Sequence, residues 1–139
     1  MMRSLPFALA AAALLVVPAA AAKRDRVPAA VPAGAVETCI PITSIRESKV
    51  RDDRTIDFIM KNGRVYRNVL PSSCPRLGFE QAFSYRTSLS RLCSVDIITV
   101  LDRAGPGLTQ GAGCGLGTFQ PVTIADERPG HRGRPPRGN

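Results

Sequence analysis

Apolar and polar residues alternate most regularly between residues 55 and 70, where two runs of period two flank Asn62-Gly63. Such alternation marks a half-buried strand, and Asn-Gly signals a tight hairpin because a type I′ turn needs positive φ at both central positions. A two-residue turn predicts that Met60 faces Val65, Phe58 faces Arg67 and Ile56 faces Val69 on the core side. Ile59 with Tyr66 and Asp57 with Asn68 fall on the other side. Arg67 then intrudes on an apolar row, opposite Phe58.

Further strands are predicted over residues 42–50, 82–87 and 95–101. The last holds the run Ile97-Ile98-Thr99-Val100-Leu101, as expected of a strand buried on both faces. A final strand over 117–124 contains Pro121, which cannot donate to a ladder and so argues for an edge. Beyond the N-terminal segment no helix-length window keeps i, i+3, i+4 apolar spacing. The pattern predicts an all-β, mainly antiparallel fold, with five or six strands in a small barrel or rolled sheet.

The N-terminal segment reads differently. Arg3 precedes an apolar run over residues 5–17, interrupted by Pro6, and Ala20 and Ala22 satisfy the A-x-A rule. A secretory signal peptide over residues 1–22 is predicted, with cleavage before Lys23. The run is shorter than the ~20 residues that span a bilayer, so no transmembrane span is expected after cleavage. Cys39 lies too far downstream to be a lipoprotein cysteine. Residues 23–37 alternate Ala, Val, Pro and Gly after a charged start and predict a flexible linker. Residues 126–139 hold four arginines and little that is apolar, which predicts a disordered tail. Residues 38–125 remain as the folded domain.

Composition sharpens this division. Of the first 22 residues 18 are apolar, against 43 of the remaining 117, so the domain folds on a thin core. The net charge of +8 separates into +4 in residues 38–125, +1 in the linker, +2 in the tail and Arg3. Cys39, Cys74, Cys93 and Cys114 are separated by 34, 18 and 20 residues with no C-x-x-C pair, which in an exported chain predicts two structural disulfides. If the strands run up and down in order, Cys39 and Cys93 fall at one end and Cys74 and Cys114 at the other. That parity favours Cys39 with Cys93 and Cys74 with Cys114, although four cysteines permit three pairings.

The residue inventory excludes several chemistries. The one histidine, His131, sits in the tail, so neither a Ser/His/Asp nor a Cys/His system has a held imidazole, and zinc lacks closely spaced ligand pairs. A Ser/Lys dyad has only Lys49 and Lys61 in the domain, and no S-x-x-K motif. The glycine cluster at 111–117 breaks the G-x-G-x-x-G pattern and lacks G-K-[ST]; it reads as a flexible loop delivering Cys114 to its partner. Asp52 and Asp53 adjoin Arg51 and Arg54, which would hold both acids ionised and suit a turn with local ion pairs better than a glycosidase-like site. Asp96 and Asp102 bracket an apolar strand and mark its ends. No metal, cofactor or catalytic residue is expected.

A basic surface remains. Arg64, Arg67 and Lys61 lie near the hairpin with Tyr66, and Tyr85-Arg86 can join from a neighbouring strand. Arg67, Arg64, Tyr66 and Arg86 are therefore the candidate anion-binding residues. Arg67 has two roles open to it: an arginine stacked on Phe58 and paired with Asp57, or an anion clamp at a pocket mouth. Two tyrosines and a dispersed charge fit nucleic acid poorly, and an acidic envelope polymer or an envelope protein suits an exported chain better.

Cys39-Ile40, the stretch 50–58, the stretch 63–68, Cys74-Pro75, Phe83-Ser84-Tyr85-Arg86 and the stretch 92–98 together resemble an exported proteobacterial family classed only as a domain of unknown function. The resemblance spans most of residues 38–122 with all four cysteines and implies export and disulfide bonding. That family has no established activity, so it implies no site residue. The sequence thus points to an exported non-catalytic β module, with a small carboxylate-dependent hydrolase and a polyanion-binding barrel as the alternatives.

Overall fold

The computed structural model describes residues 27–87 and 89–124, and the segment around the Asn-Gly turn settles its geometry. Along the chain run β1 (Ala30–Pro32), β2 (Cys39–Pro41), a 3-10 turn (Ile42–Ser44), β3 (Ile45–Val50), β4 (Thr55–Met60) and β5 (Val65–Val69). A four-residue helix α1 (Leu77–Glu80) follows, then β6 (Phe83–Tyr85), β7 (Arg91–Cys93), β8 (Ile97–Asp102), β9 (Thr109–Gly115) and β10 (Phe119–Ile124). The predicted signal peptide, the tail with His131 and residues 23–26 lie outside the described residues.

All the pairings are antiparallel, in sheets of order β1-β10-β5-β4-β3, β2-β7 and β6-β8-β9. The mainly antiparallel β fold is as the pattern predicts, but the sheets do not close into a barrel. The five-stranded sheet ends at β3, where a bulge between Ile45 and Glu47 and the charged Arg46, Glu47 and Lys49 leave an edge that discourages further pairing.

The hairpin register differs by one from the two-residue turn. Met60 N–H donates to the Arg64 carbonyl at 2.8 Å and Gly63 N–H to the Met60 carbonyl at 2.9 Å, so the loop holds three residues. Gly63 has φ 86° and Asn62 keeps a negative φ, as in a turn closed by a glycine bulge. Phe58 therefore faces Tyr66, Ile56 faces Asn68, and Asp57 faces Arg67. The slip puts Arg67 on the opposite face from Phe58, beside a carboxylate.

Two other expectations are corrected. Ala30–Pro32, read as linker, pairs with β10; three residues are too short to show a period, and the backbone supplies the bonding. Pro121 is accordingly in an interior strand, between β1 and β5. Its carbonyl accepts from Ala33 N–H at 2.8 Å, so its missing donor faces the end of β1, where the ladder stops.

Phe58 centres the core, with Phe119 and Phe83 edge-on to it at 5.6 and 6.3 Å between ring centroids. Ile40, Leu70, Leu77, Leu92, Ile98 and Val100 close around them, each at most 1% exposed. Two disulfides staple the rim. Cys39 and Cys93 are bonded and are direct register partners of β2 and β7, while the buried Cys74 is bonded to Cys114 of β9. The pairing that strand parity favours thus occurs, although the Cys39–Cys93 bond follows from direct cross-strand adjacency.

Asn68 fastens the last loop to this core. Fully buried, it donates through Nδ2 to the Gly117 carbonyl at 2.6 Å and accepts from Gly117 N–H at 2.8 Å, reproducing both halves of a ladder rung. A Cβ on Gly117 would lie 2.1 Å from the Val69 carbonyl oxygen, so this close approach admits only glycine. Asn68→Ala is expected to destabilise the domain by about 2 kcal/mol, because two backbone groups lose their partners. Urea unfolding measures it, and a change within error of zero would contradict this role.

Candidate binding surface

Asp57 sits at the centre of β4, between its register partners Lys49 on β3 and Arg67 on β5, and is completely buried. Arg67 grips it with Nε to Oδ1 at 2.8 Å and Nη2 to Oδ2 at 2.9 Å, and spends Nη1 on the Pro28 carbonyl at 2.9 Å. Arg51 adds Nε to Oδ2 at 2.8 Å. A buried carboxylate between two guanidiniums is a fixed structural charge cluster. Of the two roles open to Arg67, the geometry is that of the partner of Asp57.

The other candidate anion ligands lie elsewhere. Tyr66 faces the core beside Phe58 and is 5% exposed; its hydroxyl donates to Glu37 Oε1 at 2.8 Å. Burial, reinforced by Glu37, holds its phenol above the usual range, so it stays a neutral donor. Arg64 lies over the Tyr66 ring, 5.5 Å from its centroid. Arg86 follows β6, in a different sheet from Arg64 and Arg67. The four residues do not form one patch.

Most described carboxylates are likewise committed. Asp52 accepts from Arg54 N–H and Asp53 from Gly78 N–H, so this pair braces backbone rather than forming the expected local ion pairs. Asp96 accepts from Cys93 N–H, Asp102 from Ala104 N–H and Arg76, and Glu80 from Arg76 and Arg103 N–H. Among the described residues no group of three His, Cys, Asp or Glu is placed to hold a metal ion. No described helix is long and apolar enough to cross a membrane.

A different surface emerges on the β6-β8-β9 sheet. The glycine cluster, read as a loop, is largely strand β9, and its side chains alternate: Ala112 and Cys114 pack on the core while Gly111, Gly113 and Gly115 are exposed. A bulge opposite Val100 restores Gln110 to the outer face, opposite Leu101. The outer face therefore presents Ser84, then Ile97 and Thr99, then a bare row in which Gly113 opposes Thr99 and Gly115 opposes Ile97.

Beside that glycine row, Ser84, Ile97 and Thr99, with Tyr85, Arg86, Val95, Asp96 and Gln110, line an open trough of about 510 Å³. Ile97 is 59% and Val95 86% exposed. Ser84, Arg86, Thr99 and Gln110 make no side-chain hydrogen bond or ion pair with the described residues, in contrast to Arg51, Arg54, Arg67 and Arg76. Two hydroxyls, an amide and a guanidinium thus stand ready around exposed apolar side chains, the mixture that small-ligand and peptide sites use. Only Arg86 of this set was legible in the sequence. The rest depends on the alternation of glycine in β9, which leaves no hydrophobic pattern to read.

A smaller groove of about 250 Å³ lies across β1, β5 and β10, bordered by Val69, Gln120 and Arg67. The cation in its wall is already engaged by Asp57. Compared with family models, curated proteins and solved structures, the chain matches none.

Proposed function

We propose that the protein is an exported, non-catalytic β module acting in the periplasm or outside the cell, and that it holds an anionic partner in the trough of the β6-β8-β9 sheet. The observation that carries this reading is the convergence of uncommitted Ser84, Arg86, Thr99 and Gln110 around exposed Ile97. The signal-like residues 1–22 and the resemblance to an exported family support the compartment, and the two disulfides suit an oxidising one. Commitment of most described acids to backbone N–H groups or arginines favours binding over carboxylate-based hydrolysis. Separation of Arg64, Arg67 and Arg86 favours a local anionic contact over a continuous nucleic-acid track.

Two substitutions test this reading on protein purified from its native envelope. Arg86→Ala and Ile97→Asp are each expected to lower retention of the co-purified partner about tenfold, as loss of a central contact does. Both positions are exposed, so stability should stay within about 0.5 kcal/mol of the parent. Native mass spectrometry reads retention and thermal unfolding reads stability. Undiminished retention in both variants would remove the trough from consideration.

A further inference from the structure

Strand edges are guarded almost everywhere in this protein. β3 carries charges and a bulge; β1 and β2 are three residues long and each contains a proline; β6 and β7 are equally short. Those are the usual defences of an edge against further pairing. β9 has only a bulge among these defences: its seven residues, Thr109–Gly115, include no proline and no charge. Among the described residues it pairs on one side only, with β8, and Thr109, Gln110, Gly111, Gly113 and Gly115 are exposed. Its bulge lies near its start and leaves the segment from Gly113 to Gly115 in regular register.

We propose that the free edge of β9 takes up an extended peptide of a partner protein as a fourth strand of the β6-β8-β9 sheet. The inference rests on the reading of the trough as a binding surface and names the class of its occupant. Main-chain hydrogen bonds along an exposed edge supply affinity in this mode, and alternate side chains supply specificity. The bare row of β9 says what those side chains are. Neighbouring strands lie about 4.8 Å apart, so a bulky side chain on the added strand can lean over Gly113 and Gly115 and rest on Thr99 and Ile97. The glycines leave open the space through which it reaches the trough.

Two observations distinguish the occupant from a second copy of this chain. An antiparallel β9 pair centred on Gly113 would set that glycine against its own copy and Gly111 against Gly115, leaving the glycine row with no cross-strand side-chain contact and only Ala112 against Cys114 on the core side. The uncommitted charges near this sheet, Arg86 and the Arg103 side chain, are also both cations, so like would meet like. A peptide that alternates aromatic or β-branched residues and carries an acidic residue complements both features.

The test selects linear peptides from a phage-displayed random library on the full-chain protein with its disulfides intact. Enriched sequences should show this alternation with an acidic residue. The selected peptide, resynthesised with N-methyl groups on every second amide, should lose at least about tenfold in affinity in one of the two registers and little in the other, because one side of the added strand faces β9. Gly115→Asp should weaken it similarly with unchanged thermal stability, since an added Cβ there meets nothing within 4 Å.

Equal tolerance of both methylation registers, with Arg86→Ala still weakening the peptide, would overturn edge pairing while leaving the trough as the binding surface. No enrichment, together with Arg86-dependent retention of a uronic-acid polysaccharide, would also overturn it and leave the binding role standing. Self-association that protects the β9 amides from exchange would name a second copy instead. Failure of both peptides and polysaccharide to bind would overturn the inference and the binding role together.

Discussion

Asp57→Ala is expected to destabilise the protein by about 3–5 kcal/mol, a large part of the margin of a domain this size. The carboxylate is fully buried, while the side chains of Arg51 and Arg67 are only 14% and 13% exposed, so its removal takes the shared countercharge from two guanidiniums where water reaches them poorly. Arg67→Ala should cost less, because Arg51 still pairs the buried acid. Chemical denaturation of both variants gives the comparison. A loss below about 1 kcal/mol for Asp57→Ala would mean that solvent screens the cluster as it does a surface pair.

Removing the Cys74–Cys114 bond should have an effect of similar size. The cysteines are 40 residues apart, for which loop-closure entropy gives about 4 kcal/mol. The bond also ties the α1 region to β9, a strand held in its sheet from one side. Cys39–Cys93 spans 54 residues and has nearly the same entropic value, but its two cysteines already lie opposite each other in the β2-β7 ladder. The double variant Cys74→Ala/Cys114→Ala is therefore expected to lose more of its structure at 37 °C than Cys39→Ala/Cys93→Ala. Limited proteolysis followed by mass spectrometry distinguishes them; cleavage first within β2 or β7 in both would contradict the ranking.

The parts of this fold that were legible are those where side-chain chemistry repeats. Period-two runs located β4 and β5, a continuous apolar run located β8 although its Ile97 face is exposed rather than buried, and the spacing of the four cysteines announced two cross-links. The hairpin register was not legible, because Asn-Gly also fits a three-residue loop in which only Gly63 takes a positive φ, and the choice between them is made by backbone hydrogen bonding. That one-residue slip decided whether Arg67 met Phe58 or Asp57. β9 escaped notice for the opposite reason: its outward positions are glycines, so the alternation is between a small side chain and none. The trough was hidden with it, since Ser84, Thr99 and Gln110 come together only once β6, β8 and β9 are in register. Asn68 gave no signal, because its role depends on Gly117, which lies far along the chain.

The pairing of β1 with β10 also sets a timetable. Ala30 lies opposite Ile124, so the first described strand waits for the last before the five-stranded sheet is complete. β5 likewise gains its second neighbour only when β10 arrives. Contacts between such distant segments form slowly, because a long loop must close before any bonding rewards it. A chain emerging in order from its N-terminus therefore keeps an open sheet until nearly all of this domain has been made, and a chain that stays open is one that can still be threaded through a narrow pore.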